Sequence, residues 1–152
     1  MAYIKEIRKL VGHRPLILTS ASGALLNEHG EVLLQERADT GDWSFPGGYM
    51  EFGATFAETV VREFKEDAGI VVRPQKMLGM FDHDTYTYPN GDTVQPVNAF
   101  YLVTQVDSHQ YPTKPSETVT TRYFNLRKPA PRFFNHQHVE MWTVLQEYLA
   151  NH

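Results

Sequence analysis

Apolar residues recur along this chain with two different periods, and the places where one period gives way to the other sketch its elements. In residues 2–11, Ile4, Ile7, Leu10 and Val11 alternate with Lys5, Glu6, Arg8 and Lys9, the spacing of a short amphipathic helix. Pro15 bounds it, so residues 1–14 read as an N-terminal helical extension on a single domain covering 1–152. Residues 16–26 read as a strand with a flexible Ser20-Ala21-Ser22-Gly23 middle. Asn27-Glu28-His29-Gly30 turns the chain, and residues 32–37 return as a second strand. A polar loop over 38–42 leads to Trp43-Ser44-Phe45-Pro46-Gly47-Gly48, a rigid turn whose glycines bring backbone close to a neighbour.

The next element carries the chemistry. Thr55 followed by Glu58 is a capping box, and Gly69 suits the left-handed position after a helix, which predicts a helix over residues 55–68. Ala57, Val60, Val61, Phe64 and Ala68 share one arc, the packed face. Glu63, Glu66 and Asp67 share another, at the spacing where side chains meet, with Arg62 beside them. Three like charges so placed repel by roughly a few kcal/mol in water-like surroundings. A solvated acidic face is the plain reading; a hard divalent cation held by carboxylate oxygens resolves the repulsion better once the glycine turn is taken into account.

Beyond this helix, residues 70–72 begin a strand that Pro74 interrupts. Residues 77–81 and 85–88 follow, then an Asn90-Gly91 hairpin tip. Residues 94–106 make an apolar return strand and 119–126 a last strand. Met141, Trp142, Leu145, Tyr148 and Leu149 then mark a C-terminal helix. Strands outnumber helices and the helices lie far apart, so the expected class is α/β (α+β), a mixed sheet with helices on its faces.

The 152 residues suffice for one substantial core, and the formal charge of −4 argues against a DNA-backbone binder. No stretch is apolar enough to span a membrane, and the first ten residues lack a signal-peptide core. The absence of cysteine excludes disulfides and thiolate metal sites and fits a cytoplasmic protein.

The stretch from Gly48 to Ile70 resembles the signature of the Nudix hydrolases, with Arg62, Glu63, Phe64, Glu66, Asp67, Gly69 and Ile70 in register. Residues 33–37 and 43–46 also look like that family. Two positions depart from the pattern: Ala54 stands where the family carries its first glutamate, and Asp67 replaces the last one. The resemblance implies an α/β/α sandwich around a mixed sheet and a Mg2+- or Mn2+-dependent hydrolase. Its partner would be a small-molecule nucleotide or other diphosphate substrate. By the same resemblance Glu63 and Asp67 are the chief side-chain ligands, Glu66 and the Gly47 carbonyl complete the set, and Arg62 orients Glu63. Glu63 or Glu66 would act as base. Ala54 cannot brace Arg62, so Glu58, one turn earlier, is the candidate substitute.

Further candidates lie outside the signature. Glu117, in the loop before the last strand, sits where many family members place a further metal- or water-holding glutamate. Arg37 and Gly48 could meet phosphate, and Tyr86, Tyr88 or Phe81 could stack on a base. Asp82, His83 and Asp84 invite a metal reading, but neighbouring strand residues point to opposite faces, so the reading is set aside. The remaining histidines receive no role. The N-terminal helix either covers its own core or pairs with a second copy, and a homodimer contact is the expectation. Two alternatives to the enzyme stand: a catalytically silent nucleotide-binding or regulatory module of the same fold, and a structural protein with a solvated acidic helix.

Overall fold

The computed structural model describes residues 2–152; Met1, with which the predicted extension begins, lies outside them. The described elements run α1 (Ala2–Val11), β1 (Leu16–Leu25), β2 (Glu31–Arg37), β3 (Trp43–Ser44), β4 (Gly47–Tyr49), α2 (Phe56–Ala68), β5 (Val72–Phe81), β6 (Tyr86–Thr87), β7 (Thr93–Gln105), β8 (Thr118–Asn125) and α3 (His136–Ala150). The class is mixed α+β, as expected. No helix among the described residues is long and apolar enough to cross a membrane.

The strands form two sheets where one was expected. The larger has the order β4-β1-β7-β5 with β6 also on β7; the smaller has the order β3-β2-β8. β1 and β7 run parallel, and the other pairs are antiparallel. The split has a local cause. β1 and β2 are joined by a tight turn, yet they share only the Leu26–Val32 bridge before diverging. The chain from Trp43 to Tyr49 then crosses the gap, pairing first with β2 and after Pro46 with β1.

Side chains alternate across the strands and supply two apolar layers. Ala21, Leu25, Leu33 and Val103 pack under Val60, Phe64 and Ala68 of α2. On the other face Ala24, Val32, Leu34 and Phe100 pack against Met141, Trp142 and Leu145 of α3. The small-residue stretch of β1 is not a flexible break. It is a buried central strand, and at Gly23 a Cβ would press on Val60 and Phe64, so small residues there let α2 come close. Pro74 does not interrupt its strand either. β5 is an edge strand, where a missing N–H costs little, and a register shift between Pro74 and Lys76 absorbs the misfit. The Asn90-Gly91 hairpin forms as expected, with Gly91 N–H donating to the Tyr88 carbonyl at 2.9 Å.

One buried contact ties the sheet crossover to α3. The Phe45 N–H donates to His138 Nδ1 at 3.1 Å, which requires a neutral imidazole with its proton on Nε2. Burial, helped by the charge of Arg37, pushes the His138 pKa down to about 3. The unfolded chain takes up that proton near the ordinary value of about 6.5, so stability is lost as pH falls from there toward 3. Urea unfolding of the wild type and of His138→Gln across pH 7 to 4 tests this. The wild type is expected to lose up to about 1.4 kcal/mol per pH unit more than the variant, and parallel pH profiles would refute it.

Candidate metal and substrate site

The site grows from the two ends of α2 and the strand it rests on. Thr55 caps the helix: its side chain accepts from the Glu58 N–H at 3.1 Å, and Glu58 Oε1 accepts from the Thr55 N–H at 3.0 Å. At the other end Gly69, at φ 69°, closes the helix on the Lys65 carbonyl. Between these caps the acidic residues do not form a solvated face. Glu63 and Asp67 are buried among the core residues, each 2% exposed, while Glu66 is half-buried.

β4 makes that burial possible. A Cβ on Gly48 would collide with the Glu63 carboxylate, and one on Gly47 would strike the Ala21 carbonyl and Ser22. Gly47 N–H donates to Asp67 Oδ2 at 3.0 Å, and Gln35 Nε2 donates to the same oxygen at 3.0 Å. Thr118 Oγ1 in turn donates to Gln35 Oε1 at 2.6 Å. Arg62 Nη2 donates to the Tyr49 carbonyl at 2.8 Å and lies 3.5 Å from Glu63 Oε1. The expected Glu58 brace is not there, because the helix cap has taken the Glu58 carboxylate; the Tyr49 carbonyl holds Arg62 instead.

Glu63, Glu66 and Glu117 offer ligand atoms that all lie within 4.8 Å of one another. Asp67 lies outside this cluster but lines the same cavity, with its Oδ2 taken by Gly47 and Gln35. Burial, then the nearby charge of Asp67 and the contact with Glu66, push the Glu63 pKa up to about 9. Burial also pushes Asp67 up to about 7, against the hydrogen bond from Gly47. For Glu66 burial acts upward too, but the hydrogen bonds from Glu63 and Lys114 outweigh it and hold the group below its ordinary value. Lys114 Nζ lies 3.3 Å from Glu66 Oε1, while Glu66 Oε2 is buried with no hydrogen-bond partner. An all-carboxylate donor set with an orphaned oxygen suits a hard cation such as Mg2+ or Mn2+.

Glu63, Asp67 and Glu117 open onto a cavity of about 300 Å³ lined also by Gly47, Gly48, Arg37 and Tyr88, with Glu66 set behind its lining. Arg37 is clasped by Asp39 through Nε at 2.9 Å and Nη2 at 2.8 Å, and its guanidinium lies 3.9 Å over the Phe134 ring. Tyr86 does not reach the lining: it packs edge-on against Tyr88 and Phe134 at 4.9 and 5.1 Å. Several lining residues carried no signal in the sequence. Ser20 and Ser22 donate to Asn98 Oδ1 at 3.0 and 3.2 Å, making a buried polar floor. Ile4 and Arg8 line the cavity from α1. Arg8 reaches the Thr93 carbonyl at 3.0 Å and lies 3.6 Å from Asp92, so α1 docks on its own chain beside the hairpin. Only the amphipathic pattern of α1 hinted at this.

The family described as the NUDIX domain matches residues 17–143. A MutT-like protein of Streptomyces ambofaciens is 37% identical over 71 residues, 47% of this chain and 46% of that protein. An ADP-ribose pyrophosphatase of Methanocaldococcus jannaschii is 33% identical over 64 residues, 40% of this chain and 38% of that protein. The chain thus spans less than half the length of these curated relatives. Among solved structures, an ADP-ribose pyrophosphatase from Streptococcus suis aligns with a TM-score of 0.68 and 25% identity, covering 87% of this chain and 91% of that one.

The two glycines of β4 answer to different neighbours, which separates the consequences of filling each. At Gly48 the obstacle is the end of a flexible side chain, so Gly48→Ala is expected to keep the fold and displace the Glu63 carboxylate. At Gly47 the obstacle is backbone, so Gly47→Ala is expected to cost about 1–3 kcal/mol. Urea denaturation with Mn2+ titration followed by electron paramagnetic resonance distinguishes them: Gly48→Ala should weaken Mn2+ at least tenfold at near-native stability. Unchanged Mn2+ affinity would show that the Gly48–Glu63 contact does not set the cluster.

Proposed function

This chain belongs to the NUDIX family, and from that premise we propose that its acidic pocket hydrolyses the diphosphate linkage of a nucleotide or nucleoside-diphosphate-linked metabolite, using Mg2+ or Mn2+. The observation that carries this reading is the convergence of Glu63, Glu66 and Glu117 beside a cavity that Glu63 and Glu117 line together with Arg8, Arg37, Tyr49 and Tyr88. A diphosphate is strongly anionic, so carboxylates admit it only with cations between them.

Glu63, Glu66 and Glu117 would hold the cation, together with the Gly47 carbonyl. When bound, it would neutralise phosphate charge and lower the pKa of an attacking water. Asp67 keeps a positioning task, gripping the Gly47 N–H and so holding β4 against α2. Arg62 orients Glu63 while anchored on the Tyr49 carbonyl. Glu63 or Glu66 would take the water's proton, and of the two Glu63 lines the cavity. Arg37 and Gly48 face the cavity where substrate phosphates would lie. The similarity to ADP-ribose pyrophosphatases supports ADP-ribose as the first substrate to try.

One observation favours the silent binding module as a second reading: Ala54 leaves Arg62 without the family's carboxylate brace, and Glu58 does not replace it. Release of nucleoside monophosphate from ADP-ribose, nucleotide sugars, dinucleoside polyphosphates and nucleoside triphosphates, with Mg2+ or Mn2+, decides between them. Turnover of at least one substrate is expected, falling about 100-fold or more in Glu66→Gln and similarly in Glu63→Gln. Tight ligand binding with no turnover of any panel member would favour the module, and full activity in both variants would sink the assigned site.

A further inference from the structure

A second group of metal-ligating side chains lies outside the cavity lining, where the segment after β5 meets the first turn of α3. Asp84, His136 and Glu140 offer ligand atoms all within 4.8 Å of one another. His136 Nδ1 is 2.6 Å from Asp84 Oδ2 and 3.4 Å from Glu140 Oε1, and His83 Nε2 is 3.7 Å from Asp84 Oδ1. His136 and Glu140 are one helical turn apart and therefore share a face. Asp84 reaches them because it is not in a strand: its φ of 85° breaks the alternation that would have turned it away.

The proton inventory of this group does not close. Nδ1 of His136 carries at most one proton, and two carboxylate oxygens face it. Asp84 takes that proton at hydrogen-bond distance, and Glu140 Oε1 is left buried with no hydrogen-bond partner. A cation in place of the proton would satisfy both carboxylates and the imidazole together. The spacing suits one. Metal–nitrogen and metal–oxygen bonds of about 2.0–2.2 Å set tetrahedral ligand separations of about 3.3–3.5 Å. The His136–Glu140 separation already matches, and the His136–Asp84 separation needs to open by less than about 1 Å on the same scale.

We propose that Asp84, His136 and Glu140 form a binding site for a borderline divalent transition metal of the zinc, nickel or cobalt class, with water completing its coordination. Imidazole ligands suit these ions, whereas the all-oxygen cluster of Glu63, Glu66 and Glu117 suits Mg2+ or Mn2+. The bound ion would cross-link the 82–84 segment to α3. Gln137, next to His136, donates to the His83 carbonyl at 3.0 Å and to the Pro96 carbonyl at 2.8 Å, and itself lines the cavity. The site would therefore fasten one wall of the pocket without entering it.

The test uses untagged full-length protein carrying Glu63→Gln and Glu66→Gln, which removes the carboxylate cluster as a competing site. Co2+ and Zn2+ titrations, followed by visible absorption and calorimetry in excess Mg2+, should show one saturable equivalent with micromolar affinity. Adding Asp84→Asn, His136→Ala or Glu140→Gln should each weaken it at least tenfold, and Zn2+ should raise the melting temperature of the parent but not of the Glu140→Gln form. Should His136→Ala fail to fold, Glu140→Gln, a near-isosteric change on a partly exposed side chain, decides alone. Affinity unchanged by Glu140→Gln, or no saturable binding in the parent, overturns the proposal. Because no readout depends on turnover, failure here leaves the hydrolase reading standing, and the reverse also holds.

Discussion

Glu63 is a carboxylate folded into the interior, and much of the surrounding structure exists to keep it there. Burial disfavours its charge, which is why its pKa rises. In an ordinary core such a group would be replaced by something apolar at little loss. Here it faces the one strand with no side chain at the point of contact, since Gly48 leaves the room that its carboxylate occupies. The interaction is asymmetric. α2 can be built from capping and apolar packing alone, but Glu63 cannot stay in place unless β4 lies flat against the helix.

A chain of hydrogen bonds enforces that approach from both sheets. Thr118 on β8 holds Gln35 on β2, Gln35 holds Asp67 on α2, and Asp67 holds the Gly47 N–H on β4. The same chain registers Glu117, the residue before Thr118, against Glu63 and Glu66. The division into two sheets thereby acquires a purpose. The crossover from β3 to β4 is where the sheets separate, and a strand crossing a gap has backbone groups to spare for a buried carboxylate. Asp67, shorter by a methylene than a glutamate, meets the Gly47 N–H directly, so the departure from the family pattern fits a bracing residue.

What could be read from the sequence was what local rules decide. The capping box at Thr55, the stop at Gly69 and the Asn90-Gly91 hairpin each follow from residues a few positions apart, and each formed; of the packed face of α2, Val60, Phe64 and Ala68 are buried while Ala57 and Val61 are only half-buried. The burial of Glu63 and Asp67 did not follow, because charge predicts solvation until a glycine strand elsewhere in the chain offers a place. Glu58 was an attractive brace for Arg62, but a carboxylate committed to a cap is not free for a second task. Pro74 looked like a break because its edge position could not be known before strand order. Asn98 and Ser20 gave no signal, and Gln35 stood only within a family-like stretch with no role attached: each is a strand residue whose partner lies 32 to 83 positions away.

The same division separates reaction from specificity. The residues that read as a signature occupy β4 and α2 and hold only the acidic end of the cavity. The opposite lining comes from α1 through Ile4 and Arg8, from the hairpin through Tyr88 and Asp92, and from the start of α3 through Gln137 and His138. These elements meet through contacts no motif encodes. Arg8 spans from α1 to the Thr93 carbonyl, and His13 Nδ1 lies 2.6 Å from Asp92 Oδ1. A helix that looks like an appendage in sequence is thus a wall of the pocket. Substitutions in that wall can change what fits the cavity while leaving the carboxylates untouched, so on the proposed reading the signature residues act on a diphosphate and the remainder of the fold selects what is attached to it.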